Sequence, residues 1–216
     1  MRITVLGASG RTGIHVVRLL RRQGHTVRAG VRSKRRGEEA AALGAEPVIA
    51  DLAAFPEALV DACAGSEVVI NTAGAVDPDP SAVNLVDRDG TIAAVRAAEK
   101  AGVVRFIQLS AQFADSPDQG DRLVRSFLLA KQVSDSILRR SSLTWTVVRP
   151  GTLTDDPFTG RVRIAGHLEP GRVSRQDVAA VLVASLGEPL TENRGFDVLA
   201  GEVPVGAALA ALASVG

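Results

Sequence analysis

The stretch that most constrains this chain is Arg2-Ile-Thr-Val-Leu-Gly7-Ala-Ser-Gly10-Arg-Thr-Gly13. Ile3, Val5 and Leu6 form a short apolar run with β-branched members, which reads as a strand buried on both faces. Ile14, Val16, Val17, Leu19 and Leu20 then supply the apolar stripe of a helix. A strand therefore passes through a glycine-punctuated turn directly into a helix. Each glycine has a separate task in such a turn. The first permits a tight reversal, the second lets a pyrophosphate approach the backbone, and the third lets helix pack closely on strand. Unpaired amides at the helix start, with the helix dipole behind them, then hold the phosphate charge. Ser9, Arg11 and Thr12 add side-chain donors. The spacing is Gly-x-x-Gly-x-x-Gly, and its position between an apolar strand and an amphipathic helix gives it weight that a glycine triplet alone lacks. A glycine-rich turn that binds nothing is the other reading.

The rest of the chain continues the alternation. Strands are expected over Thr26–Val31, Pro47–Ala50, Glu67–Asn71, Val104–Leu109 and Leu143–Val148, and helices over Glu38–Leu43, Pro56–Cys63, Gly90–Ala101 and Leu123–Arg140. Asp77-Pro-Asp-Pro80 and Asp115–Asp121 read as loops. This pattern predicts an α/β fold, a doubly wound parallel sheet with right-handed crossovers and helices on both faces. At 216 residues the chain suits one domain. Its last part, about 151–216, is expected to form a small cap over the substrate end of the cleft together with the last strand and helix. There Val162–Ala165 and Phe196–Leu199 read as strands. Ser174-Arg-Gln-Asp177 reads as a capping box opening a helix through Leu186, and Gly206–Ala213 as a closing helix.

In a sheet of this kind the ligand lies beyond the carboxyl ends of the strands. The second strand ends at Val31-Arg32-Ser33, without the carboxylate that would hold the ribose 2′-hydroxyl of NAD. Arg32, with Lys34, Arg35 and Arg36, offers positive charge for a 2′-phosphate, so NADP(H) is expected over NAD(H). A solvated basic loop is the competing reading. Asp51 and Leu52 end the third strand and suit an adenine ring. Thr72, Ala73 and Gly74 end the fourth and let backbone approach a ribose. Ser110-Ala-Gln112 and Arg149-Pro150-Gly151 close the fifth and sixth.

Net charge is +1, which argues for neither nucleic acid nor a membrane surface as partner. A small-molecule substrate and a monomer or small homo-oligomer are expected. Cys63 is the single cysteine, so no internal disulfide forms, which suits a cytoplasmic setting. The chain begins directly with its strand, and no secretory signal is expected. His15, His25 and His167 are scattered without ligand spacing, so no metal site is expected. Trp145 reads as core. Phe113 lines either the nicotinamide pocket or the packing beneath its loop, and His167 is either a solvated loop histidine or an acid facing substrate.

Gly7-Ala-Ser-Gly10-Arg-Thr-Gly13, Val31-Arg32, Ala50-Asp51-Leu52 and Thr72-Ala-Gly74 together resemble the atypical short-chain dehydrogenase/reductase group. Phe106-Ile-Gln-Leu-Ser110, Thr146-Val-Val-Arg149-Pro150-Gly151 and Val173-Ser174-Arg-Gln-Asp177-Val178-Ala179 extend the resemblance over nearly the whole chain. Within the group the chain is similar to single-domain NAD(P)-binding proteins of the NmrA-like and biliverdin reductase B-like kind. The resemblance implies a Rossmann sheet, pyrophosphate on Gly7–Gly13 and a 2′-phosphate on Arg32. Many members of the group carry Tyr-x-x-x-Lys on the helix after the fifth strand, where lysine aligns the nicotinamide ribose and tyrosine moves the proton. The matching stretch here is Phe127-Leu-Leu-Ala-Lys131, and the chain has no tyrosine at all. Lys131 either reaches the ribose or is an exposed helix lysine, and Ser110 stands near the family serine. By this reading Ser110 and Lys131 are the catalytic candidates, and the missing hydroxyl weighs against simple ketones and aldehydes. It weighs less against flat conjugated acceptors such as flavins and quinones. A protein that binds NADP(H) and reports its redox state without turnover is the alternative, and a sugar-nucleotide epimerase is disfavoured by Phe127.

Overall fold

A computed structural model describes residues 1–53, 56–119, 121 and 124–214. The opening strand β1 (Arg2–Leu6) is buried from Ile3 onward and leads through the glycine turn into α1 (Gly13–Arg22). Then follow β2 (Thr26–Val31), α2 (Glu38–Ala42), β3 (Glu46–Ile49), α3 (Pro56–Cys63) and β4 (Val68–Asn71). After these come α4 (Pro80–Val83), α5 (Thr91–Lys100), β5 (Arg105–Leu109), α6 (Arg125–Arg139) and β6 (Thr144–Pro150). The carboxyl-terminal part holds β7 (Thr152–Thr154), β8 (Arg161–Ala165), β9 (Arg172–Ser174), α7 (Arg175–Ala184), β10 (Arg194–Ala200), β11 (Val203–Pro204) and α8 (Val205–Ala210).

The central sheet has nine strands in the order β11-β8-β10-β6-β5-β4-β1-β2-β3. From β3 to β10 every neighbouring pair is parallel, whereas β8 pairs antiparallel with β10 and β11. This is the doubly wound Rossmann-like arrangement in a single domain, with the order reversing between β1 and β4. Apolar runs such as Val68–Ile70 are buried because helices cover both faces. One core joins β1 and β2 to α1, α2, α7 and α8, through residues such as Val16, Leu20, Val181 and Leu209. The other places Leu59, Val95, Ala98 and Leu138 of α3, α5 and α6 against Val69 and Phe106. Cys63 belongs to this second core, and burial pushes its thiol up to about 11. Among the described residues no helix is long and apolar enough to cross a membrane.

Three local readings change. Asp77-Pro-Asp-Pro80 is only partly a loop. Asp79 caps a helix by accepting the Ser81 amide at 2.8 Å, and Pro80 takes the first helical position. That helix passes through a π-helical segment, Asn84–Gly90, into α5, so helical structure begins ten residues before Gly90. The period of the π segment hides it from a search for 3.6-residue spacing. In the predicted capping box, Ser174 Oγ does accept the Asp177 amide at 3.0 Å. The Asp177 carboxylate, however, takes the Gly160 amide at 2.7 Å and the Thr159 amide at 3.1 Å instead of closing the box. It thereby pins the turn before β8 onto α7. Finally, β8, β10 and β11 extend the main sheet, while β7 and β9 form a separate two-stranded sheet beside it. Gly120 and Leu123, at the edges of the predicted loop and long helix, lie outside the described residues.

Candidate functional site

The crevice at the reversal between β1 and β4 is built from backbone. Gly7 has a φ of 72°, and a Cβ there would stand 2.6 Å from the Ala73 nitrogen. A Cβ on Gly13 would collide with the Gly7 carbonyl oxygen. The turn is held by the Gly10 amide on the Gly7 carbonyl at 2.8 Å, and the Thr72 hydroxyl donates to the Leu6 carbonyl at 2.8 Å. Thr72 is therefore a fastener between two strand ends. The amides of Arg11 and Thr12 donate to no group among the described residues, and Thr12 caps α1 without a side-chain bond. Unpaired donors at a helix start, on a turn with no Cβ in the way, fit an anionic diphosphate. Arg11 is 3.7 Å from Asp155, which itself accepts from Arg175 at 2.7 Å. That contact draws the loop after β7 toward the glycine turn.

Arg32, Lys34, Arg35 and Arg36 lie exposed past β2, and none has an ion pair among the described residues. Asp51 accepts the Ala53 amide at 3.0 Å and so stabilises its own turn. Leu52 is buried, and its Cβ stands where a Cβ on Gly90 would sit only 2.7 Å away. Leu52 thus packs on the π segment.

The far half of the crevice, past β5 and β6, is made of buried charge. Lys131 is 3 % exposed and its Nζ lies 3.0 Å from Oδ1 of Asp87, which is fully buried. Lys131 also donates to the Leu109 carbonyl at 3.3 Å and stands 5.6 Å from the Phe127 ring centre. It is not an exposed helix lysine. Asp87 belongs to the π segment, and its Oδ2 accepts the Ala75 amide at 3.0 Å, which fixes the loop after β4. Ser110, whose amide bonds the Val148 carbonyl at 2.8 Å, donates its hydroxyl to Asp135 at 2.5 Å. Burial pushes the Asp135 carboxyl up to about 6, against the opposing pull of the Ser110 hydrogen bond and of Lys131, Arg139 and Arg149. Arg149 lies between Asp115 and Asp197, 2.7 Å from each. Gln112 ties the same corner to the Leu168 carbonyl at 2.7 Å and, through its amide, to the Pro150 carbonyl at 2.9 Å. Phe113 is held half-buried in the left-handed region, with a φ of 66°. His167 is exposed, 3.9 Å from Asp115. Trp145 is half-buried under the Arg139 guanidinium, 5.5 Å away.

Ser110 and the Lys131 ammonium thus both lie at the end of β5. Sequence reasoning missed Asp87, Asp135 and the Arg149 cluster. One signal was available: Phe127, Lys131 and Asp135 follow at intervals of four, which puts all three on one helix face.

Comparisons with known proteins identify the family. A family model described as NAD(P)H-binding matches residues 7–189. An uncharacterized sugar epimerase of Bacillus subtilis is 39% identical over 211 residues, covering 97% of this chain and 99% of that one. An NAD(P)H azoreductase of Xenophilus azovorans is 30% identical over 221 residues, covering 98% of this chain and 72% of its own. A solved structure from Bacillus halodurans, described as a candidate NAD-dependent epimerase/dehydratase, superposes with a TM-score of 0.90. It is 34% identical, with 97% of this chain and 98% of that one covered.

Proposed function

We propose, from the premise that the chain belongs to the NAD(P)H-binding family and is of the atypical short-chain dehydrogenase/reductase kind, that it is an NADPH-dependent reductase of a flat conjugated acceptor. The observation that carries this reading is the pairing of Phe127 with Lys131. The lysine is present and buried, but the ring beside it has no proton to give. A forming alkoxide needs a proton at once, whereas a flavin-, quinone- or azo-type acceptor delocalises the incoming charge. One relative bears the name NAD(P)H azoreductase, and an azo bond is an acceptor of this class. Other relatives carry epimerase names. An epimerase must remove and return a proton at a sugar hydroxyl, and Phe127 has no group for that step.

In this reading Gly7, Ser9, Gly10, Arg11, Thr12 and Gly13 take the pyrophosphate. Arg32, assisted by Lys34, Arg35 and Arg36, takes the 2′-phosphate, which makes NADPH the preferred form. Asp51 and Leu52 stand at the adenine end, and Thr72, Ala73 and Gly74 present backbone to the near ribose. Ser110, Lys131 and Pro150 border the nicotinamide half. When bound, the reduced dinucleotide supplies hydride to the acceptor. Lys131 fixes the end of β5 through the Leu109 carbonyl and presents its charge beside the cleft, while Asp87 prevents that charge from being buried alone.

The test is NADPH oxidation with flavin mononucleotide, dichlorophenolindophenol and quinones. Turnover above background with at least one is expected, and none with any of them overturns the reading. Tight binding that distinguishes NADPH from NADP⁺ without turnover would leave the redox-sensing protein in its place. Phe127→Tyr is expected to add carbonyl reduction, because it restores a phenol one helical turn from Lys131.

A further inference from the structure

The Ser110–Asp135 contact is not explained by cofactor binding. Asp135 is 3 % exposed and its Oδ1 has no hydrogen-bond partner among the described residues. Buried carboxylates are ordinarily paired or fully hydrogen-bonded. Its charged neighbours are Lys131 and Arg139, one turn either side on α6, and Arg149 from β6. Two of these are engaged elsewhere. Lys131 is held by Asp87 at 3.0 Å, and Arg149 by Asp115 and Asp197 at 2.7 Å each. The Arg139 guanidinium lies over Trp145. What remains for Asp135 is one serine hydroxyl, just past the end of β5. Behind it lies a cavity of about 300 Å³, which Asp135 lines with Asp115, Gln132, Arg139 and Arg140.

We propose that Ser110 and Asp135 form the proton source of this site: Ser110 hands a proton to the reduced acceptor and Asp135 replaces it. This rests on the reductase reading above: a delocalised anion outlasts hydride transfer without a phenol, and Ser110 protonates it afterwards. The balance is simple. The acceptor receives two electrons and one hydrogen from NADPH, which leaves as NADP⁺. The resulting anionic oxygen or nitrogen takes the proton of the Ser110 hydroxyl. The Ser110 Oγ–H bond is then rebuilt as the protonated Asp135 carboxyl releases its proton from Oδ2 to Ser110, and solvent reprotonates Asp135 through the cavity. Ionised Asp135 can only accept, so it holds the single Ser110 proton away from the cleft. Protonated Asp135 donates to Ser110 instead and frees that proton. A carboxyl raised to about 6 populates the donating form in the range where proton transfer is efficient. Ser110 is the catalytic residue here and Asp135 the positioning residue behind it.

The experiment measures turnover against pH, from roughly 5 to 8, for the wild-type chain, Asp135→Asn, Asp135→Glu and Ser110→Ala, with NADPH affinity as a check on folding. In parallel, the carboxyl carbon of Asp135 is titrated by NMR in the wild-type chain and in Ser110→Ala. The wild-type rate is expected to fall as pH rises through about 6, where the Asp135 carbon titrates. In Ser110→Ala that titration should move higher, because the hydroxyl no longer stabilises the anion. Asp135→Asn should lower kcat by about tenfold or more and remove the pH step with NADPH affinity unchanged, and Asp135→Glu should restore part of both. A step that persists in Asp135→Asn overturns the proton source while leaving the reductase reading intact. A wild-type chain without turnover overturns both. Should Asp135→Asn not fold, a flat wild-type profile, or an Asp135 carbon that titrates in the ordinary carboxylate range, overturns the proton source by itself.

Discussion

The two halves of the crevice are made of different materials. The half at β1, β2 and β4 is backbone: unpaired amides on a glycine turn, a threonine fastening two strand ends, and basic side chains left free in solvent. The half at β5, β6 and α6 is side chain: the buried carboxylates Asp87, Asp135 and Asp197 and a buried lysine and arginine, each held by partners far away in sequence. A backbone site depends on which positions lack a Cβ, and it tolerates exposure. A buried charge site depends on completeness, because any one partner removed leaves another charge uncompensated. In the proposed function the first half grips the dinucleotide, and the second sets what chemistry follows.

This contrast can be broken most forcefully at Lys131. Lys131→Met leaves Asp87 buried without its cation and is expected to cost about 3–5 kcal/mol by chemical denaturation. The double variant Lys131→Met with Asp87→Asn should recover much of that loss. If the two losses simply add, the pair is not a unit. On the backbone side, Gly7→Ala forces a left-handed φ and a clash with Ala73, with an expected loss of about 3 kcal/mol. It should abolish dinucleotide binding as well, measured by fluorescence quenching. Binding that survives would separate the turn from the ligand.

Asp135 sharpens the comparison through pH. Its folded carboxyl is raised from 3.8 to about 6, so the folded state holds that proton more tightly than the unfolded chain does. The stability this gives is present below pH 3.8 and is lost as pH rises through about 6. The gap corresponds to about 3 kcal/mol at most. Asp135→Asn should therefore gain on the wild type across that window in thermal unfolding, and a constant difference would contradict the buried-carboxyl account. The smallest expected effect on stability, near zero, belongs to exposed Arg32. Arg32→Asp should weaken NADPH by about tenfold to a hundredfold and NADH far less. Equal losses would mean that the basic loop is only solvated.

The same contrast explains what could be read from the sequence. The glycine turn, the alternation of strands and helices, and the basic end of β2 are local patterns. Each is written in residues close together, and the resemblance carried by Gly7–Gly13 and Thr146–Gly151 covers the same features. Ser110 and Lys131 were legible as positions but not in their partners. Asp87 sits in a π segment that breaks helical spacing, inside a stretch read as loop and helix start. Arg149 meets Asp197 because β10 lies beside β6, and meets Asp115 from the loop past β5, pairings across the sheet that no local pattern encodes. The sequence pattern places the Asp177 carboxylate in a cap, whereas tertiary structure directs it to the turn at Gly160.

The account rests on a dinucleotide diphosphate seated on the unpaired amides before α1. Titration calorimetry of NADPH and NADH into the wild-type chain tests this most directly. It should show saturable binding, with a Kd for NADPH of about 1 µM and NADH at least about tenfold weaker. No heat with any pyridine dinucleotide up to about 1 mM would contradict it.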